Sequence, residues 1–307
     1  MRRQYLPISI FGAPTDIGAG RRGASMGPEG LRVAGLIEAL RARGIDVVDR
    51  GDVPGPKNPW AGPVNGYRHL DEVVAWNQGV LAATAAELAA GRMPVMLGGD
   101  HCVAVGSIAA VANHCRQTGK KLRVLWLDAH TDFNTQEITP SGNLHGMPVS
   151  CLCGIGPAQL TGLGGHTPAI VPAQLRQIGI RSVDEDEKRL VQKHAIDIYD
   201  MRYIDEVGMK TVMEQALQGL DEQTHLHVSF DVDFLDPSIA PGTGTPIPGG
   251  INYREAQLMM EMIADTGRMG SLDIVEVNTA LDNGNATAEL AVDLVESLFG
   301  KSTLMRD

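Results

Sequence analysis

Apolar and polar positions alternate along this chain in two rhythms. Short, continuously apolar or β-branched runs recur at 8–11, 46–49, 94–97, 122–127, 177–180, 196–199, 225–230 and 272–277. Such continuity fits strands buried on both faces rather than strands with one face in water. Between them lie longer stretches with helical spacing, among them 70–90, 103–116, 207–220 and 253–265. Strand and helix in repeated alternation imply right-handed crossovers and a parallel sheet with helices on both faces. Ligands of such sheets bind beyond the carboxyl ends of the strands, so chemistry is sought in the polar residues directly after each run. Two Gly/Pro-rich stretches, 51–66 and 154–167, read as surface loops. No repeat and no linker-like shift divides the chain, so 1–307 reads as one domain.

Composition narrows the partners. Apolar residues make up 43% and charged residues 21% of 307, an ordinary globular balance that excludes disordered and fibrous classes. Lys and Arg number 26 against 37 Asp and Glu, a net charge of −11 that argues against nucleic acid, whose phosphates need basic patches. Cys102, Cys115, Cys151 and Cys153 are too few for a disulfide framework, and the last two are not spaced as a zinc pair. The opening Met-Arg-Arg-Gln leads into a short apolar stretch broken by proline, which reads as a first strand rather than a signal peptide. No apolar run is long enough to span a bilayer. The expectation is a cytoplasmic protein without membrane or nucleic-acid partners, in which the sequon at Asn285 has no meaning.

The sharpest chemical signal is Asp128-Ala129-His130-Thr131-Asp132, directly after the run at 122–127. Side chains two apart on extended chain share a face, so Asp128 and His130 point together, and Asp132 joins them if the loop curls back. Asp231-Val232-Asp233 repeats this pattern after the run at 225–230. One such acidic strand end is common; two on the rim of one parallel sheet are far more specific. Gly98-Gly99-Asp100-His101 follows the run at 94–97, its glycines allowing close backbone approach beside the carboxylates. Taken singly, a solvated acidic turn or a helix-capping His would explain each of these segments.

Together they offer His101, Asp128, His130, Asp132, Asp231 and Asp233 as metal ligands. Carboxylates and imidazoles without thiolate suit hard to borderline divalent ions, with manganese the expectation. Four carboxylates around one divalent ion leave a costly negative excess, so two ions sharing carboxylates are expected. Such pairs, about 3.5–4 Å apart, lower the pKa of a bridging water and supply hydroxide near neutral pH. Glu276, on the same rim, adds a carboxylate suited to the planar fork of a guanidinium. The loop Ser141-Gly142-Asn143-Leu144-His145-Gly146 places His145 as a candidate proton shuttle. A G-x-G-x-x-G match at 18–23 stands in the wrong context for dinucleotide binding, because the first strand ends near Phe11 and the helix begins only after Gly27-Pro28.

At this point the residues resemble a known family. GGDH at 98–101, DAHTDFNT at 128–135, SGNLHGMP at 141–148, SFDVDFLDP at 229–237 and DIVEVN at 273–278 are similar to the arginases of the ureohydrolase family. The early segments Gly20-Arg21-Arg22-Gly23 and Met26-Gly27-Pro28 resemble an arginase N-terminal loop, and the likeness runs in order along nearly the whole chain. The metal motifs are common to all ureohydrolases, whereas the 134–148 loop looks like arginases rather than agmatinases.

The resemblance implies a three-layer α/β/α sandwich on a mostly parallel eight-stranded sheet, and two Mn2+ per subunit. It implies hydrolysis of L-arginine to L-ornithine and urea by a hydroxide bridging the metals, in a trimer or hexamer. Asn134, Thr139, Ser141 and Asn143 would hold the α-carboxylate, Asp184 and Glu187 would face the α-amino group, and Thr245 would lie near the guanidinium. Glu276 would orient the guanidinium, Asp128 would assist collapse of the tetrahedral intermediate, and His145 would move a proton. Family members often carry Asp where Ser182 stands and Ser where Cys102 stands. The alternatives are a sister ureohydrolase acting on agmatine, a non-catalytic metal-stabilised relative, and a nicotinamide oxidoreductase built on the glycine match.

Overall fold

The eight apolar runs are the eight strands of one sheet. The computed structural model describes residues 5–304, so the basic opening Met1-Arg2-Arg3-Gln4 lies outside the described residues. The chain begins with β1 (Ile8–Ala13), α1 (Gly27–Val33), α2 (Leu36–Ala42) and β2 (Val47–Asp52). It continues through α3 (Leu70–Ala89), β3 (Met93–Gly98), α4 (Ala104–Thr118) and β4 (Lys121–Leu127). After α5 (Pro148–Leu152) and α6 (Ala158–Thr161) come β5 (Leu175–Ile180), α7 (Glu185–Lys193) and β6 (Ile198–Asp200). Then follow α8 (Met201–Val207), α9 (Met209–Ala216), β7 (Thr224–Asp231), α10 (Tyr253–Thr266), β8 (Met269–Val275) and α11 (Ala286–Leu298). The strand order is β2-β1-β3-β8-β7-β4-β5-β6. Every pairing within it is parallel.

Alternation along each strand sorts side chains into two cores. Ile8, Ile10, Val95, Leu97, Val228, Phe230 and Ile274 pack with residues of α2, α9, α10 and α11 on one face. Phe11, Met96, Val124 and Trp126 pack with α3, α4 and α5 on the other. The result is three layers, helix on sheet on helix. Because β3, β8, β7 and β4 are adjacent at the centre of the sheet, their carboxyl ends meet at one place on the rim.

Helices were less legible than strands. The stretch at 207–220 is broken by Gly208, whose φ of 82° ends α8 before α9 starts. The 154–167 loop contains the short α6. The α7 sequence EDEKRLVQK has few apolar residues; Leu190 and Val191 pack on the core, and Glu187 closes the first turn by accepting from Asp184 N at 3.2 Å.

Candidate metal centre and substrate pocket

The four central strand ends deliver their polar residues to one buried cluster. His101 follows β3, Asp128 follows β4, Asp231 ends β7 and Glu276 follows β8. His101 Nδ1 faces Asp128 Oδ2 at 3.0 Å, Asp231 Oδ2 at 3.1 Å and Asp132 Oδ2 at 3.3 Å. His130 Nδ1 faces Asp233 Oδ2 at 3.1 Å and Asp128 Oδ1 at 3.4 Å. Asp128 thus belongs to both groups, one oxygen to each. Asp132 reaches the cluster because its backbone sits at φ 50°, a left-handed conformation that curls the loop back. Glu276 has φ 62°, so a second site residue is held in a sparsely populated region.

Charge crowding is severe here. Burial and neighbouring carboxylates push Asp132 and Asp231 well above the usual carboxylate range. Burial opposes protonation of His130, but Asp233 and Asp128 outweigh it and hold its pKa well above the ordinary value. His101 Nδ1 is buried and has no hydrogen-bond partner, although three carboxylate oxygens surround it. An orphaned nitrogen aimed into a ring of carboxylates fits a cation between them. His101–Asp128–Asp231 and Asp128–His130–Asp233 each converge closely enough to hold an ion.

Supporting contacts fix these side chains. His101 Nε2 meets Ser229 Oγ at 2.9 Å, leaving Nδ1 as the inward nitrogen. The His101 imidazole stacks on Trp126, ring centroids 3.9 Å apart, and Trp126 Nε1 donates to Asp128 Oδ2 at 2.9 Å. Neither Trp126 nor Ser229 was singled out from the sequence, yet Ser229 shares a β7 face with Asp231 and that register could have exposed it.

A cavity of about 230 Å³ opens from the cluster, with Asn134, His145, Ser182, Asp184, Glu187, Thr245 and Glu276 in its lining. Glu276 Oε1 accepts from His101 N at 2.9 Å and lies 3.0 Å from His145 Nδ1. Burial lowers the His145 pKa, but Glu276 more than offsets this and raises it above the ordinary value. Thr245 Oγ1 donates to Asp233 Oδ2 at 3.0 Å, and Asn134 Nδ2 to Asp184 Oδ2 at 3.2 Å. The Glu187 carboxylate is occupied within the chain, accepting from Thr131 Oγ1 at 2.5 Å and Phe133 N at 2.9 Å besides Asp184 N. Thr139, Ser141 and Asn143 stand farther out. Thr139 Oγ1 accepts from Gly142 N at 3.0 Å, and Ser141 Oγ from Asn143 N at 3.2 Å, so both hydroxyls shape the loop.

The glycines at 18–23 serve this mouth. Gly18 N donates to Asp100 Oδ2 at 2.9 Å, and a Cβ at Gly20 would stand 2.8 Å from the Asn143 amide nitrogen. A Cβ at Gly23 would collide with Asn278. Close packing, not phosphate, accounts for the motif.

Fold and site together define an α/β protein whose sheet rim could hold metal ions. Residues 6–300 match the Arginase family. The arginase of Bacillus caldovelox is 45% identical over 301 residues, covering 97% of this chain and 99% of that protein. The arginase of Bacillus subtilis (strain 168) is 43% identical over 297 residues, covering 97% and 99%. The native structure of the Bacillus caldovelox arginase at pH 5.6 superposes with a TM-score of 0.92 at 43% identity, covering 98% of this chain and all of that one. The chain belongs to the arginase family, whose members are metal-dependent. Among the described residues no helix is long and apolar enough to cross a membrane.

Proposed function

We propose that this protein is a hydrolase that converts L-arginine and water to L-ornithine and urea. The observation that carries the reading is the pairing, in one pocket, of two ion-ready His/Asp groups with the buried Glu276 carboxylate. Membership of the arginase family supports the substrate. Manganese suits the carboxylate-rich, thiolate-free donors, and two ions balance four aspartates better than one. His101, Asp128, Asp132 and Asp231 would hold one ion, and Asp128, His130 and Asp233 the other. Bound ions of this kind acidify water and so make hydroxide available at neutral pH.

The remaining steps belong to side chains. Glu276 draws in the guanidinium, since a buried carboxylate gains most from a planar cationic fork. Asp128, between the two ion-ready groups, would assist collapse of the tetrahedral carbon. His145, kept basic by Glu276, gives a proton to the leaving amine. Asp184 faces the α-amino group, with Glu187 holding its backbone. Asn134, Thr139, Ser141 and Asn143 receive the α-carboxylate, the outer three through water. Thr245 keeps Asp233 turned inward beside the guanidinium side.

Family resemblance further supports a trimer or hexamer in the cytoplasm, with residues 1–307 as one domain. Urea release by purified, manganese-loaded protein tests the central reading. Turnover of L-arginine well above agmatine supports it. Release from agmatine instead keeps the fold and Glu276 but overturns the roles given to Asn134, Ser141 and Asp184.

A further inference from the structure

Arg181 leaves the end of β5 and turns its guanidinium beneath the rim. Nη2 donates to the carbonyls of Asp233 at 2.7 Å, Ile247 at 2.8 Å and Leu235 at 3.2 Å. Nε donates to Ile247 O at 3.0 Å, and Nη1 to Phe234 O at 3.1 Å and Gly179 O at 3.3 Å. A cation so enclosed would ordinarily seek a carboxylate; this one spends its donors on backbone oxygens of the segments flanking Asp233 and Thr245.

The main chain completes a circuit. Arg181 N donates to Ala129 O at 2.9 Å, and Ala129 N donates to Asp233 Oδ1 at 3.1 Å. The Asp233 carbonyl returns to Arg181 Nη2. Three strand ends, those of β5, β4 and β7, are therefore locked to one another between Asp128 and His130 on one side and Asp233 on the other. Gly250 leaves room for this arrangement, because a Cβ there would stand 2.6 Å from Arg181 Nη2 and 2.7 Å from the Leu235 carbonyl carbon.

Two roles give opposite signs. A cation beside a cation site repels the ion, so removing a mere counter-charge would tighten metal binding. Removing a strut would loosen it, and only on the side that the circuit holds. The Asp233 carboxylate already accepts from Ala129 N and Thr245 Oγ1 and faces His130, so small rotations of its backbone move the whole group. His101 and Asp132 lie outside the circuit, and Asp231 touches it only through its Oδ1, which accepts from Asp233 N at 2.7 Å.

We infer that Arg181 is a positioning residue for the Asp128–His130–Asp233 half of the centre, an inference that rests on the two-ion reading above. The planar fork, not the charge, does this, and lysine cannot reproduce it.

The test titrates metal-free Arg181→Lys with Mn2+ beside the wild type, by calorimetry and by electron paramagnetic resonance. The wild type is expected to bind two ions that show a spin-coupled signal. Arg181→Lys should bind the first ion as before and the second about 10–100-fold more weakly, the range for partners that orient metal ligands, with the coupled signal lost at equal manganese. Gly250→Ala keeps the arginine but displaces it and should show the same selective loss, which also covers a lysine variant that fails to fold. Unchanged binding of both ions by the folded variants, or tighter binding in Arg181→Gln, overturns the inference. A wild type that binds no Mn2+ overturns the two-ion reading itself, and the inference with it.

Discussion

Glu276 Oε1 and His145 Nδ1 stand 3.0 Å apart across the pocket, joining the loop after β4 to the end of β8. The contact raises the His145 pKa and keeps the buried carboxylate fixed in the absence of a cation. A guanidinium entering the pocket competes for the same carboxylate. Glu276→Gln keeps the shape and removes the charge. It should leave Mn2+ binding and thermal midpoint unchanged. It should lower kcat/KM for L-arginine by about 10²–10⁴, from two charge-assisted hydrogen bonds of about 1.5–3 kcal/mol each. Steady-state urea assays check this, and a variant of near wild-type kcat/KM would remove Glu276 from the substrate site.

The strands, and with them the rim, were readable in advance because burial on both faces leaves unbroken apolar runs. Those same runs end at His101, Asp128, Asp231 and Glu276, so the chemistry was located by knowing where the strands stop. What pattern could not supply was long-range commitment. Nothing local says that the Glu187 carboxylate is spent on Thr131 and Phe133, or that the hydroxyls of Thr139 and Ser141 bind their own loop. Arg181 escaped notice because its partners are backbone carbonyls, which carry no sequence signal. The polar α7 gives little signal to an argument from apolar periodicity, since only Leu190 and Val191 carry its apolar face.

Asp128 touches both ion-ready groups, whereas Asp231 belongs only to that of His101. Asp128→Ala should therefore abolish binding of both ions. Asp231→Ala should lose metal and leave urea release near background. Chelation of the wild type should lower its thermal midpoint and added Mn2+ should restore it, each ion stabilising by about 2.7 kcal/mol at a hundredfold excess over Kd. Elemental analysis with calorimetric melting checks all three. An Asp231→Ala protein with two metals and full rate would end the metal assignment.

A buried histidine outside the metal cluster should add to acid sensitivity. His225 lies on the β7 face opposite Leu226 and Val228, with its Nε2 2.9 Å from Ser271 Oγ. Burial, aided by His227 on the same strand, His114 on α4 and Lys120, pushes its pKa down to about 3. The folded state thus binds this proton less readily than the unfolded chain, whose imidazole titrates near 6.5. The sign follows: the contribution is complete above about pH 6.5 and is lost as pH falls toward 3. Between pH 7.5 and 4.5 it should fall by about 2–3 kcal/mol. His225→Gln, which cannot titrate, should show a shallower decline in urea-denaturation stability over that range. Parallel slopes for variant and wild type would exclude this histidine as a source of acid sensitivity.

Asp184 supplies the last test, because it is the pocket carboxylate left available where Glu187 is occupied. Its Oδ2 accepts a 3.2 Å bond from Asn134 Nδ2, and the residue caps α7 at the mouth of the cavity. If it reads the α-amino group, its charge contributes to binding and not to the chemistry at the guanidinium carbon. Asp184→Asn retains the size and an acceptor oxygen. It should raise KM for L-arginine by about 10–100-fold, the worth of one charge-assisted hydrogen bond, with kcat little changed. An arginine analogue lacking the α-amino group should be a poor substrate for the wild type, and the variant should treat the two compounds nearly alike. A KM that does not move, or discrimination that survives the substitution, would assign amine recognition to another group in the pocket.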